Sequence, residues 1–172
     1  LRGNNMTIAA NNTMDFSDEQ GMILDSARDF CRDKSAIPDV SALLASDTGF
    51  NPTVWQEMSE LGWLGLAIPE AYGGSELGIG STIPLAECMG RNLLSTPFFS
   101  VTLAAQALLR AGTSAQQERW LPQIATGTIA SLALLDGEDW GATHSSASAV
   151  LDGDSVRLSG EKWFVQIGRA HV

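Results

Sequence analysis

The sequence turns on one stretch, Leu61-Gly62-Trp63-Leu64-Gly65-Leu66-Ala67-Ile68-Pro69-Glu70-Ala71-Tyr72-Gly73-Gly74-Ser75-Glu76-Leu77-Gly78. Pro69 prevents a helix from continuing through it, because proline lacks a backbone N–H and its ring clashes with the preceding turn. Gly73 and Gly74 permit positive φ angles and a close approach of the backbone. The stretch therefore predicts an irregular loop over about residues 67–80. Its side chains have few groups that could take part in chemistry. Two interpretations therefore stay open: the stretch shapes a loop between helices, or it contacts a ligand directly.

The composition excludes several classes of protein. The chain has 172 residues, of which 44% are hydrophobic and 17% charged, which is typical of one globular domain or of one domain and part of another. With 20 Asp plus Glu against 10 Lys plus Arg, the net charge is -10, so binding to a nucleic-acid backbone is not expected. The longest uncharged run, residues 92–109, is too polar for a membrane span. We expect a cytoplasmic protein.

Helix start and stop signals recur along the first 127 residues. Ser17 with Gln20 forms a capping box for a helix that should run to about Lys34. Four further helices are expected: one from Asn51-Pro52 to Gly62, one around residues 83–89, one from Thr96-Pro97 to Gly112, and one capped by Ser114 with Gln117 and closed by Gly127. The apolar positions of these helices include three tryptophans that we expect in the core, namely Trp55, Trp63 and Trp120.

The pattern changes after Gly127. Short β-like segments are predicted at residues 130–135, 146–151, 155–159 and 162–165, with Asp152-Gly153-Asp154 as a hairpin turn. The fold class is therefore α+β, with an all-α domain followed by the start of a β domain. Cys31 and Cys88 belong to no CxxC or Cys/His cluster, so we predict buried, reduced thiols and no metal site.

Both ends of the sequence look foreign to the fold. LRGNN precedes the first methionine, and a back-translation of residues 167–172 looks like a sequencing adapter. We therefore expect a non-native or disordered leader at residues 1–13, a helical domain at 14–128, part of a β domain at 129–166 and an artefact at 167–172.

Four motifs follow one another along the chain: Met14-Asp15-Phe16-Ser17 with Glu19-Gln20, the stretch at residues 61–78, Glu87-Cys88-Met89-Gly90-Arg91, and Trp120-Leu121-Pro122 with Gly127. They resemble, in order and spacing, the usual opening, the LGxxGLxxPExxGGxG signature, the E-x-x-G-R helix and the Y/W-L-P-x-x-x-x-G element of the acyl-CoA dehydrogenase superfamily. The resemblance covers residues 14–165.

The resemblance implies a flavin enzyme in which a helical N-terminal domain, a β-barrel-like middle domain and a C-terminal helical bundle enclose FAD and an acyl-CoA thioester. In that family a carboxylate removes the α-proton while the β-hydrogen leaves as hydride to flavin N5. The carboxylate belongs to the C-terminal bundle, which is missing from this chain, so no catalytic residue is assigned and the isolated fragment is expected to be inactive. The implied partners are acyl-CoA, an electron-transfer flavoprotein or similar acceptor, and further subunits of a homo- or hetero-oligomer.

Two middle-domain motifs of the family can be carried over onto this sequence. Residues 133–141 stand in the place of A-L-T-E-P-G-A-G-S, where Leu135 replaces the Thr hydroxyl. Backbone groups of Leu134 and Leu135 are then implied as flavin contacts, with Thr143 or Ser145 as a substitute hydroxyl. The acids Asp136, Glu138 and Asp139 would repel an anionic cofactor unless they point to solvent.

The second motif, K-x-W-I-T-N-G, matches residues 162–168. Phe164 takes the aromatic position that flanks the flavin, Trp163 should alternate to the opposite face of the strand, and Val165 and Gln166 complete the implied cofactor set. The departures from the family motifs leave two alternatives open. These are a flavin-dependent monooxygenase or oxidase on the same fold, and a non-catalytic partner subunit of a hetero-oligomeric dehydrogenase.

Overall fold

The computed structural model describes residues 17–138, 145–153 and 155–165. These residues form six α-helices followed by one antiparallel strand pair: α1 Asp18–Lys34, α2 Ile37–Leu43, α3 Pro52–Glu60, α4 Ile83–Asn92, α5 Phe98–Ala111, α6 Ser114–Ala125, β1 Ser148–Asp152 and β2 Ser155–Ser159. The predicted α+β class, with helices first and the start of a β region after them, is confirmed. No helix in the described part of the chain is long and apolar enough to cross a membrane.

Two helices begin where their capping side chains predict. The Ser17 hydroxyl accepts from the Gln20 N–H at 3.3 Å, and the Gln20 side chain accepts from the Ser17 N–H at 3.0 Å, which is a complete capping box for α1. The Asn51 side chain accepts from the Thr53 N–H at 2.9 Å at the start of α3. Both helix starts are local side-chain chemistry, which is why sequence reasoning places them correctly.

The cap of α6 lies one residue earlier than expected. The prediction of Ser114 with Gln117 was wrong, since Thr113 has the extended backbone of a cap and forms the capping box with Gln116. Gln117 instead turns toward the end of α5, where its side-chain N–H groups donate to three backbone carbonyls, those of Leu108 (2.9 Å), Leu109 (3.4 Å) and Gly112 (3.1 Å). Its side-chain oxygen accepts from the Tyr72 hydroxyl at 3.1 Å, so it joins α5, α6 and the loop of residues 61–78.

Helix α2 was not predicted. It spans seven residues, carries a proline in its first turn and buries none of its side chains. Its apolar residues Ile37, Val40 and Leu43 recur at helical spacing, but seven residues are fewer than the window of about 11–18 residues in which periodicity indicates a helix.

The helices share one core. Its fully buried members come from α1, α3, α4, α5 and α6 and from the loop after α3, and the largest of them include Cys31, Met58, Leu85, Val101, Leu121, Ile124 and Ile68. Cys31 and Cys88 are buried free thiols, as predicted. Burial raises the pKa of the Cys31 thiol to about 12.

Two of the three tryptophans lie in the core and one does not. Trp55 and Trp63 are buried, and the Trp55 indole N–H donates to the Gly127 carbonyl at 2.8 Å. The expectation for Trp120 was wrong, because its side chain is 39% exposed and the Arg119 guanidinium lies 4.7 Å from its ring. A large aromatic side chain on an amphipathic helix can face either a core or a groove, and helical spacing alone does not separate these cases.

The stretch at residues 61–78 folds back on itself. After the left-handed Gly62, three N–H groups on its far arm donate to carbonyls on its near arm: Ser75 to Gly65 (3.0 Å), Glu76 to Ile68 (2.9 Å) and Leu77 to Leu66 (2.9 Å). A Cβ on Gly74 would lie 2.0 Å from the Ile68 carbonyl oxygen. The close backbone approach expected of this glycine is therefore present, and the stretch shapes a loop between α3 and α4.

The hairpin turn was predicted correctly, but two of the predicted strands are not formed. Strands β1 and β2 are antiparallel, with Asp152 opposite Ser155 and Gly153 at φ 64°; Asp154 lies outside the described residues. The first strand occupies 148–152 rather than 146–151. The backbones of segments 130–135 and 162–165 pair at an isolated bridge between Leu135 and Trp163, and the chain leaves the extended region at Phe164, where φ is 51°.

Candidate functional site

Four of the six residues predicted to contact a cofactor lie in the described part of the chain. These are Leu134, Leu135, Phe164 and Val165, whereas Thr143 and Gln166 lie outside it. The bridge brings the two segments together, since the Trp163 N–H donates to the Leu135 carbonyl at 2.7 Å. Segments 26 or more residues apart in sequence therefore meet at one place, as the two motifs require.

The two aromatic residues at this place lie on one side rather than on opposite faces. The ring centroids of Trp163 and Phe164 are 6.3 Å apart with an interplanar angle of 67°. The expected alternation was wrong because the left-handed backbone at Phe164 breaks the period of two that an extended strand would have. The side chains are 42% and 59% exposed, so each ring leaves part of its surface open for contact with an aromatic group.

A lysine that sequence reasoning left without a role organises the site. The Lys162 ammonium donates to the Leu134 carbonyl at 3.2 Å and to the Ser145 hydroxyl at 2.8 Å, and it forms an ion pair with Asp136. Asp136 also accepts from the backbone N–H of Ser146. We call Asp136, Ser145 and Lys162 the polar clamp. Asp136 belongs to the first middle-domain motif and Lys162 to the second. Because the two residues are 26 positions apart, no local sequence pattern indicates their contact.

The clamp changes the expected electrostatics of the site. The Lys162 ammonium, followed by the Ser146 N–H, holds the pKa of Asp136 well below its usual range, so this carboxylate is ionised at neutral pH. Its charge is compensated by Lys162, and its side chain is only 13% exposed. We expected the Asp136 carboxylate either to repel an anionic cofactor or to point to solvent. Neither expectation was right, because the carboxylate is mostly buried and paired with Lys162. Glu138 is exposed, and Asp139 lies outside the described residues.

The backbone segment beside the bridge is open to solvent, and the Leu134 side chain is 68% exposed. Exposed aromatic side chains beside backbone polar groups suit a heteroaromatic group with hydrogen-bonding atoms on its edge. The isoalloxazine of FAD has that chemistry, so the residues present fit the cofactor that the resemblance implies.

A groove of about 480 Å³ adjoins the segment that leads to the site. Its walls are α5, α6 and residues 128–132, and they are mainly apolar, with Ala104, Leu108, Trp120 and Ile129 among them. The exposed face of Trp120 is thus accounted for by a groove rather than by the core.

Comparison with known sequences identifies the family. Residues 17–128 match the profile of the family described as acyl-CoA dehydrogenase, N-terminal domain. The chain is 31% identical to (2S)-methylsuccinyl-CoA dehydrogenase of Cereibacter sphaeroides over 160 residues, which cover 90% of this chain and 29% of that protein. It is 33% identical to the probable acyl-CoA dehydrogenase YngJ of Bacillus subtilis over 158 residues, which cover 86% of this chain and 40% of that protein. The chain thus spans well under half the length of these relatives.

Solved structures agree with the sequence match. A variant of the Tcur3481-Tcur3483 steroid ACAD superposes with a TM-score of 0.75 at 33% identity, covering 86% of this chain and 41% of that one. The ChsE4-ChsE5 complex of Mycobacterium tuberculosis gives 0.73 at 26%, with 86% and 40% covered. The acyl-CoA dehydrogenase of Bacillus anthracis complexed with FAD gives 0.72 at 29%, with 88% and 27% covered. This chain belongs to the acyl-CoA dehydrogenase family.

Proposed function

We propose that this chain is the N-terminal portion of an FAD-dependent acyl-CoA dehydrogenase that introduces an α,β double bond into an acyl-CoA thioester. The observation that carries the proposal is the bridge between Leu135 and Trp163, which joins the two motifs that would face the flavin. Family membership and the relative complexed with FAD support the same cofactor.

The residues of the bridge would bind and orient the cofactor. Backbone groups of Leu134 and Leu135 would contact the ring edge, and Phe164 would cover part of one face. When bound, FAD supplies the hydride acceptor for the β-hydrogen. Leu135 has no hydroxyl, and one hydrogen bond contributes about 0.5–1.5 kcal/mol, so its loss weakens affinity without abolishing it.

The full protein would act with partners in the cytoplasm. We propose acyl-CoA as the substrate, an electron-transfer flavoprotein or similar acceptor as the oxidant, and assembly as a homo- or hetero-oligomer. The relatives Tcur3481-Tcur3483 and ChsE4-ChsE5, each named as a pair of proteins, support the hetero-oligomeric form. Leu135 at the position of the family hydroxyl also favours a second candidate, a non-catalytic partner subunit of such an assembly.

The test starts from the protein expressed from its complete open reading frame, together with the 172-residue chain as a matched sample. Flavin content and dye reduction by a panel of acyl-CoA esters are measured for both. We expect flavin and dye reduction in the former, and weak flavin binding without turnover in the latter. Turnover that uses oxygen and forms peroxide would assign an oxidase, and absence of flavin would assign a supporting subunit.

A further inference from the structure

We propose that the polar clamp is a positioning device that holds the backbone of Leu134 and Leu135 at the distance from Phe164 that a bound flavin requires. This role rests on the proposed function. The clamp residues do not touch the reacting atoms, so they act through the segments that they join.

The first argument is connectivity. Lys162 contacts three groups on the other side of the bridge: the Leu134 carbonyl, the Asp136 carboxylate and the Ser145 hydroxyl. Apart from these contacts, the described hydrogen bonds between residues 134–136 and 162–163 consist of the single Trp163 to Leu135 bond. One backbone hydrogen bond leaves two segments free to slide or rotate, whereas contacts on both sides of it fix their relative position.

The second argument is burial. The Asp136 and Lys162 side chains are 13% and 25% exposed, and both make additional hydrogen bonds. Arg157 and Asp152 form an ion pair of comparable chemistry on the neighbouring hairpin, at 2.7 Å, but these side chains are 73% and 64% exposed. Solvent and salt weaken such an exposed pair far more. Of these two ion pairs, the one between Asp136 and Lys162 in the polar clamp is therefore the one held firmly enough to set the position of a neighbouring segment.

The third argument is charge. Without Lys162, the carboxylate of Asp136 would remain uncompensated beside a cofactor whose diphosphate is anionic. Without Asp136, Lys162 would lose its anionic partner and the contact that directs it to Leu134. Each single loss should weaken flavin binding, and losing both should cost no more than losing one, because the two residues act as one unit.

The experiment uses the protein from the complete open reading frame. Lys162→Met, Asp136→Asn, the double variant and Lys162→Arg are compared with Arg157→Met, which removes the exposed hairpin pair as a matched control. The measurements are the FAD dissociation constant, the visible circular dichroism of the bound flavin, and urea unfolding. Circular dichroism reports the flavin's surroundings, which a purely structural role would leave unchanged in the folded fraction.

We expect FAD affinity to fall by about tenfold in Lys162→Met and in Asp136→Asn, by about the same factor in the double variant, and less in Lys162→Arg. The flavin dichroism should change in the weakened variants, while Arg157→Met stays within about twofold of wild type. Unaltered affinity and dichroism in the clamp variants, or an equal loss in Arg157→Met, would overturn the role. A wild-type protein without flavin would overturn both this role and the proposed function.

Discussion

Gly74→Ala is predicted to destabilise the fold severely. Gly74 lies on the far arm of the loop at residues 61–78, where the two arms are in backbone contact. An alanine Cβ would lie 2.0 Å from the Ile68 carbonyl oxygen, 2.5 Å from its carbon and 2.6 Å from the Gly65 carbonyl oxygen. All three atoms belong to the backbone, so no side-chain rotation can relieve the contact. The arms must move apart.

Separation of the arms has a cost that can be estimated from the hydrogen bonds across the loop. Those donated by Ser75, Glu76 and Leu77 are 2.9–3.0 Å long, and each contributes about 0.5–1.5 kcal/mol. Partial loss of the three, together with packing strain of about 1–3 kcal/mol, predicts a destabilisation of about 3 kcal/mol or more. That is a large fraction of the roughly 5–15 kcal/mol by which a domain is stable.

Urea unfolding, followed by far-ultraviolet circular dichroism and tryptophan fluorescence, measures this loss. Gly90→Ala in α4 is the matched control, because an added Cβ there meets nothing within 4 Å. Alanine has the higher helix propensity, so the control should be more stable than wild type by about 0.5–1 kcal/mol. A Gly74→Ala protein within about 1 kcal/mol of wild type would refute the close approach of the two arms.

Three further predictions concern single side chains of the helical domain. Trp55→Phe should lose about 1 kcal/mol of unfolding free energy, since the hydrogen bond to Gly127 disappears; an unchanged urea midpoint would contradict this. Gln117→Leu should cost about 1–3 kcal/mol because it removes the side-chain donor to the carbonyls of Leu109 and Gly112, and stability equal to wild type would show that this cap is unimportant. Because the pKa of the Cys31 thiol is raised from 9.0 to about 12, its contribution to stability is full below pH 9 and is lost as the pH rises through 12. Unfolding measured across that range should show a steeper decline in wild type than in Cys31→Ala, and parallel declines would contradict the assignment.

The parts of the fold that could be predicted from sequence are those encoded by neighbouring residues. The side chains of Ser17 and Asn51 accept from N–H groups within three residues of themselves, so these caps depend on local sequence alone. The hairpin turn at Gly153 likewise depends on neighbouring residues. Helix α2 was missed because its seven residues are too few for apolar spacing to indicate a helix. The position of Trp120 depends on which surface lies opposite, which local spacing does not encode.

The candidate site was predictable one motif at a time, but the contacts between its motifs were not. The resemblance to the family indicated Leu134 and Leu135 from one motif and Phe164 from the other, and the structure joins the two motifs through a bridge. The ion pair of Asp136 and Lys162 depends on a contact across 26 residues, and each partner alone reads as an ordinary surface charge. For that reason the carboxylate was expected to repel a cofactor unless it pointed to solvent, and its ion pair with Lys162 was not foreseen.

The measurement that tests the central claim most directly is an anaerobic titration of the protein from the complete open reading frame with acyl-CoA esters. The account predicts that the purified protein carries FAD, that a suitable acyl-CoA bleaches the oxidised flavin absorption, and that the matching enoyl-CoA appears in equal amount. A protein without flavin, or a bound flavin that stays oxidised with every acyl-CoA ester of a broad panel, would contradict it.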